Sequence, residues 1–287
     1  MDLIKVKQAL KKNKKLEEIT RIISSPIFWL QYKKAEHEAN ARMFGYTYPE
    51  YEWIKQEKDK YLGKRCFIVA TGPSLTIKDL ELIKKEYSFG MNSGILAFDK
   101  TGWRPNFYGI QDEYVYEKLE PVINKIAQKE LNEVWISKNV ADIFTYPANS
   151  KIFPLNYLDH KMFHHSGYGK FKFSDDCYHC IYDGYSIIFS LLQMACYMGF
   201  KKIYLLGCDC NYNQSKTHFI EYGYKDGKIM FAADKIIQAH IAFKKFADAQ
   251  GIEVINCTRG GNLEVYPRET LEEVLKNINV GIKEKTE

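Results

Sequence analysis

Long apolar runs are absent from this 287-residue chain. Nowhere do 18 or more apolar residues follow one another, which excludes a membrane-spanning helix from the reading. The stretch Met1–Lys15 is too lysine-rich and too interrupted to be the apolar core of a secretory signal. Internal repeats and low-complexity tracts are missing as well. The cysteines do not make an even set: there are seven, and Cys66, Cys196 and Cys208 sit in segments that read as buried. A reduced, cytosolic compartment fits that usage. Surplus charge is missing from most of the chain, since residues 65–287 hold 27 Lys+Arg against 27 Asp+Glu. That balance gives no general sign of a nucleic-acid binder. The net charge of +5 therefore lies wholly in residues 1–64, which hold 14 basic against 9 acidic side chains.

What is present is an ordinary globular composition, 46% apolar and 27% charged, long enough for one large domain or a domain with an appendage. Leu3, Val6, Leu10, Leu16, Ile19 and Ile23 fall at helical spacing with lysines between them, a basic amphipathic helix. An aromatic-rich stretch follows from Phe28 through Tyr46, Tyr48, Tyr51 and Trp53. Residues 1–64 thus read as a helical arm, either a cap packed on the main domain or a surface for a membrane or a partner subunit. From Arg65 the pattern changes to short apolar runs alternating with helical periodicity. Strands are expected at 65–70, 87–92, 107–112, 133–137, 151–155, 202–207 and 253–256. Helices are expected from Thr76 to about Glu86, around 114–130, at Ser186–Met198 and at Ala233–Gln250. This is the signature of an α/β, Rossmann-like, doubly wound and mainly parallel sheet over residues 65–287. Asn156–Asp183 has little periodicity and reads as a long functional loop.

The sharpest local feature is Val69-Ala-Thr71-Gly72-Pro73-Ser74-Leu75, between the first strand and a helix that Thr76 caps with Asp79. Gly72 lets a ligand approach the backbone, and the N–H groups of the following helix start suit a phosphate. One glycine and no lysine make this neither a dinucleotide fingerprint nor a P-loop. In an open parallel sheet the strand ends converge on one crevice, which brings in Asn92-Ser93, Gln111-Asp112 and Gly207-Cys208-Asp209. Asp112 and Asp209 suit a ribose, a metal ion or an acceptor hydroxyl. His218, following the Asp209 strand, is the better candidate for a general base, and His179 in the long loop is the other. Gly184 and Ser186 open the next helix. Arg259-Gly260-Gly261, just after the last strand, forms a basic turn able to fold over a phosphate. Cys177-Tyr-His-Cys180 has zinc-like spacing, but Cys208-Asp-Cys210 does not, so free thiols and no structural metal are expected.

Taken together these segments resemble the 6-hydroxymethylpterin diphosphokinase-like domain family. The resemblance rests on Gly72-Pro-Ser-Leu75, Asn92, Asp112, Gly199-Phe-Lys-Lys-Ile-Tyr-Leu-Leu-Gly-Cys-Asp209, Thr217-His218 and Asn256-Cys-Thr-Arg-Gly-Gly-Asn-Leu-Glu264. It spans Arg65 to Leu275. The same blocks are similar to those of bacterial lipooligosaccharide sialyltransferases, which bind a cytidine-monophosphate sugar in a Rossmann-like fold without a metal. Their first turn usually carries Asn where Thr71 stands here. Their catalytic histidine precedes the helix that corresponds to Ser186–Met198, which makes His179 its approximate match.

Two activities are implied. The first is a glycosyltransferase-like enzyme of bacterial surface-polysaccharide assembly, taking a pyrimidine (CMP-type) nucleotide-sugar donor and a glycan acceptor with no required cofactor. The second is a pyrophosphotransferase using ATP and magnesium on a pterin alcohol, with Asp112 and Asp209 on the metal. The first is favoured because a basic, aromatic arm suits an enzyme at the inner membrane face. A nucleotide-binding scaffold without turnover is a third reading, and association with further copies of the chain is compatible with all three.

Overall fold

The computed structural model describes residues 14–157, 171–211, 218–223 and 229–276. Seven parallel strands make the central sheet: β1 Arg65–Val69, β2 Ser88–Met91, β3 Phe107–Ile110, β4 Val134–Ser137, β5 Ser150–Phe153, β8 Lys202–Leu206 and β9 Glu253–Asn256. Their order is β5-β4-β3-β2-β1-β8-β9, with Phe67 level with Ser88 on one side and Tyr204 on the other. Two short strands, β6 Leu155–Asn156 and β7 Ile181–Tyr182, pair separately. All seven strands of the main sheet stand where the alternating apolar runs place them. The doubly wound α/β architecture follows from the same runs.

Alternation along each strand sorts the core into two layers. Cys66, Ile68, Phe89, Phe107 and Trp135 face one side, where they meet the buried residues of α6 (Ile187–Tyr197) and α7 (Ile229–Ala249). Phe67, Val69, Tyr108, Ile110 and Val134 face the other, against α3 (Ile77–Leu82) and α4 (Glu113–Glu130). A short α5, Lys138–Ala141, follows β4. Every residue of α6 is buried, which is why its sequence reads as apolar all round.

The arm contains α1, Lys14–Met43, and α2, Glu52–Glu57. The expected helix at 3–23 lies partly outside the described residues; what is seen of it is the beginning of α1, which continues through Pro26. The later part of the arm joins the main core: Tyr51 and Ile54 are buried in it, and the Trp53 indole donates to the Ile152 carbonyl at 2.7 Å. Arg42 is buried and donates to the Tyr178 and His179 carbonyls at 3.0 and 2.6 Å.

β1 sits between β2 and β8, so the chain leaves it toward opposite edges of the sheet on its two sides. At such a switch point the loops after the strands part, and the crevice outside the carboxyl ends is where a ligand fits.

Candidate functional site

The turn after β1 is braced rather than merely flexible. Gly72 N–H donates to the Gly207 carbonyl at 2.9 Å. A Cβ on Gly72 would run into the Asp209 carboxylate and the Gly207 carbonyl. The close approach that demands glycine is therefore made by the chain's own β8 end, in addition to whatever a ligand requires. Asp209 accepts from the Ser74 hydroxyl at 2.8 Å and lies 3.3 Å from the Ser74 N–H. Burial raises its carboxyl above the usual range, against the pull of the Ser74 bonds. Gly261, at φ +75°, lies against the Asp209 backbone, whose carbonyl accepts from Asn262 N–H at 2.7 Å. Asp209 is thus the peg on which two glycine turns hang. Downstream, Thr76 and Asp79 form the reciprocal cap of α3, with Thr76 N–H donating to Asp79 at 2.9 Å.

One strand over, Asn92 follows β2 in the left-handed region at φ +45°, a conformation that a non-glycine residue seldom holds. Its carbonyl accepts from the Tyr108 hydroxyl. The side-chain Oδ1 of Asn92 and the Oγ of the buried Ser93 are both enclosed, yet neither has a hydrogen-bond partner. Buried polar atoms are nearly always satisfied, and a ligand or water is one explanation of an exception; among the described residues Asn149 Oδ1 and Ser150 Oγ, at the start of β5, are unmet as well. Asp112 caps α4, accepting from Tyr114 and Val115 N–H at 2.9 Å each. Gln111 is held by Ser190, whose hydroxyl donates to Oε1 at 2.6 Å, tying α6 to the end of β3. Gly184 and Tyr185 both have positive φ before Ser186 caps α6.

The segment 218–223 closes over this edge. Phe219 N–H donates to the Thr71 carbonyl at 2.7 Å, which places His218 beside the Gly72 turn. The His218 side chain is 14% exposed, with Nδ1 3.7 Å from Glu221 Oε2. Burial lowers its pKa below 6.5, opposed by Glu221, so the ring is neutral near pH 7 and able to accept a proton. Its ring meets Tyr222 edge-on at 5.2 Å. Tyr222 in turn lies within electrostatic reach of Asp112 and of Tyr108. Glu221 and Tyr222 were not singled out in the sequence; their only signal was closeness to His218.

Thr71, Gly72, Pro73, Ser74, Asn92, Ser93, Asp112, Asp209 and His218 thus share the carboxyl edge of β1, β2, β3 and β8. Gly261 joins them through Asp209, and Ser186 through α6. Two expected residues are differently engaged. Arg259 makes a two-pronged ion pair with the buried Asp79, at 2.5 and 2.6 Å, and a weaker contact with Glu272. The phosphate contact expected of it would require leaving that pair. His179 belongs to the arm's surroundings, with its ring 3.3 Å from Asn40 Oδ1 and its carbonyl on Arg42. Gly260 has open space around it, and Thr217 lies outside the described residues. All seven cysteines are buried, and among the described residues no three His, Cys, Asp or Glu side chains gather as a metal cage.

A protein-family model, 6-hydroxymethylpterin diphosphokinase MptE-like, matches residues 40–215. That span takes in the later arm and the strand ends through Asp209, and stops before His218 and the Gly260-Gly261 turn. No curated protein matches the chain. Two solved structures are similar, each with 14% identity and a TM-score of 0.42 over 71% of this chain. One is the sialyltransferase CstII from Campylobacter jejuni in complex with the substrate analogue CMP-3FNeuAc, covered over 85% of its length. The other is a CST-II variant in complex with CMP, covered over 86%.

Proposed function

Because the chain belongs to the 6-hydroxymethylpterin diphosphokinase MptE-like family, we propose that it is a nucleotide-dependent transferase working at the carboxyl edge of β1, β2 and β8. The observation that carries this reading is the pair of unmet polar atoms, Asn92 Oδ1 and Ser93 Oγ, beside the braced Gly72 turn. In the finer form of the proposal the donor is a pyrimidine nucleotide-sugar and the acceptor a glycan hydroxyl. His218 takes the acceptor's proton as the new glycosidic C–O bond forms. The bond from the sugar carbon to the phosphate oxygen breaks, and the electron pair leaves with the phosphate. Neutral donors then steady the leaving group: the Ser93 hydroxyl, the Asn92 amide N–H and the N–H groups at the start of α6. The seven cysteines, odd in number and buried, support a reducing cytoplasmic setting.

The family's name supports a second reading, transfer of a pyrophosphoryl group from ATP with magnesium. Magnesium would need Asp112 and Asp209, but the donor set suits it poorly. Asp112 spends Oδ1 on the α4 cap, and Asp209 spends its carboxylate on Ser74. Turnover assays with His218→Ala test the favoured reading. The variant should keep nucleotide binding and lose product formation; retained turnover removes His218 as the base.

A further inference from the structure

One large feature of the molecule plays no part in the crevice. Over the first half of α1 the side chains of Ile19, Ile22, Ile23, Ile27, Trp29 and Leu30 are each between 50% and 69% exposed. At 3.6 residues per turn these positions form one stripe roughly 160° wide. Pro26 falls within it. Further along, Tyr32 receives Lys172 at 2.9 Å, and Ala39 and Arg42 are buried. A contiguous exposed apolar face of this kind marks an interaction surface.

Charge chooses between the occupants. Residues 1–15 carry six lysines and one aspartate, directly before the stripe, whereas residues 65–287 are neutral. A second copy paired in parallel would bring two such basic tracts together, and Pro26 would interrupt the close approach of paired helices in either direction. An anionic surface gains from every lysine. No described helix is long and apolar enough to cross a membrane, so the arrangement suits a helix lying in the headgroup layer rather than spanning it.

We infer that α1 docks the protein on a bilayer rich in anionic phospholipid, with the Ile19–Leu30 stripe in the interface. This inference does not depend on the reaction assigned above. The test is co-sedimentation of the full chain with vesicles of phosphatidylcholine alone or containing about 30% phosphatidylglycerol, at about 0.1 M and 0.5 M salt. Binding should be at least about tenfold stronger on the anionic vesicles and fall at high salt. The double variant Ile23→Glu, Leu30→Glu should lose it while melting like the parent. Replacing Lys5, Lys7, Lys11 and Lys12 with Gln should weaken it without touching the stripe. Equal binding to both vesicle types overturns the electrostatic part. Absence of vesicle binding overturns the whole, and a dimer by light scattering that the double variant splits would then assign the face to a second copy.

Discussion

Replacing Asp209 with Ala removes the peg between the two glycine turns. In the folded protein Asp209 is 8% exposed and accepts from the Ser74 hydroxyl at 2.8 Å, with the Ser74 N–H at 3.3 Å. Hydrogen bonds to a charged group contribute about 1.5–3 kcal/mol, and a partner left unsatisfied in a buried site costs about 1–3 kcal/mol. Relief of the buried charge offsets part of this, so a net loss of about 2–3 kcal/mol is expected. For a chain of this size that corresponds to a fall in melting temperature of roughly 3–6 °C. Asp209→Asn keeps the shape and an acceptor for Ser74, and should lose about 1 kcal/mol. The carboxyl is raised from its ordinary 3.8 by burial, so the folded state binds the proton more tightly than the unfolded one. Its contribution is fully present below 3.8 and is lost as pH rises through the raised value; the deficit of the Asn variant should therefore shrink as pH rises. Calorimetric melts of the three proteins at several pH values measure this. An Ala variant that melts with the parent would refute the peg.

Ser93→Ala should leave the melting temperature within a few degrees, because the Oγ it removes is unpartnered, whereas Asn92→Ala, at φ +45°, should also cost about 1 kcal/mol of stability; each should weaken nucleotide binding by about tenfold, and calorimetric titration decides. Burial lowers the His218 pKa from 6.5, so the acid limb of the pH–rate profile should lie below 6.5. A folded-state value below the unfolded one also means that stability present above pH 6.5 is lost as pH falls through the lowered value. A limb at or above 6.5, or one that persists in His218→Gln, contradicts the assignment. A chain starting at Leu62 discards the buried Tyr51 and Ile54 and the Trp53 bond, and should unfold at a markedly lower temperature than one starting at Tyr32; equal melts would show that the later arm contributes nothing.

The fold was legible because the inner strands are buried on both faces and therefore appear as short apolar runs with turn residues between them, as Cys66–Val69 and Ile203–Leu206 do. The Thr76–Asp79 cap was legible from spacing alone, since both partners lie within one turn. The site was legible only as a set of strand ends. That Gly72 answers to Asp209, 137 positions later, is a tertiary fact, and so is the diversion of Arg259 to Asp79. A basic residue in a glycine turn looks the same in sequence whether it awaits a phosphate or already holds a carboxylate. His179 and His218 likewise differ only in what folds beside them: Asn40 and Arg42 in one case, Thr71 and Glu221 in the other. The continuation of α1 through Pro26 was hidden because proline and the aromatic cluster after it suggest a break.

The most direct test of the proposed chemistry is ligand-induced thermal stabilisation of the full chain by CMP, UMP and ATP, each with magnesium and with a chelator. A ligand at 100 times its dissociation constant adds about 2.7 kcal/mol, readily seen as a rise in melting temperature. A pyrimidine nucleotide should stabilise the protein most, and the chelator should leave the shift intact. Stabilisation by ATP alone, abolished by the chelator and accompanied by consumption of a hydroxymethylpterin, would contradict it.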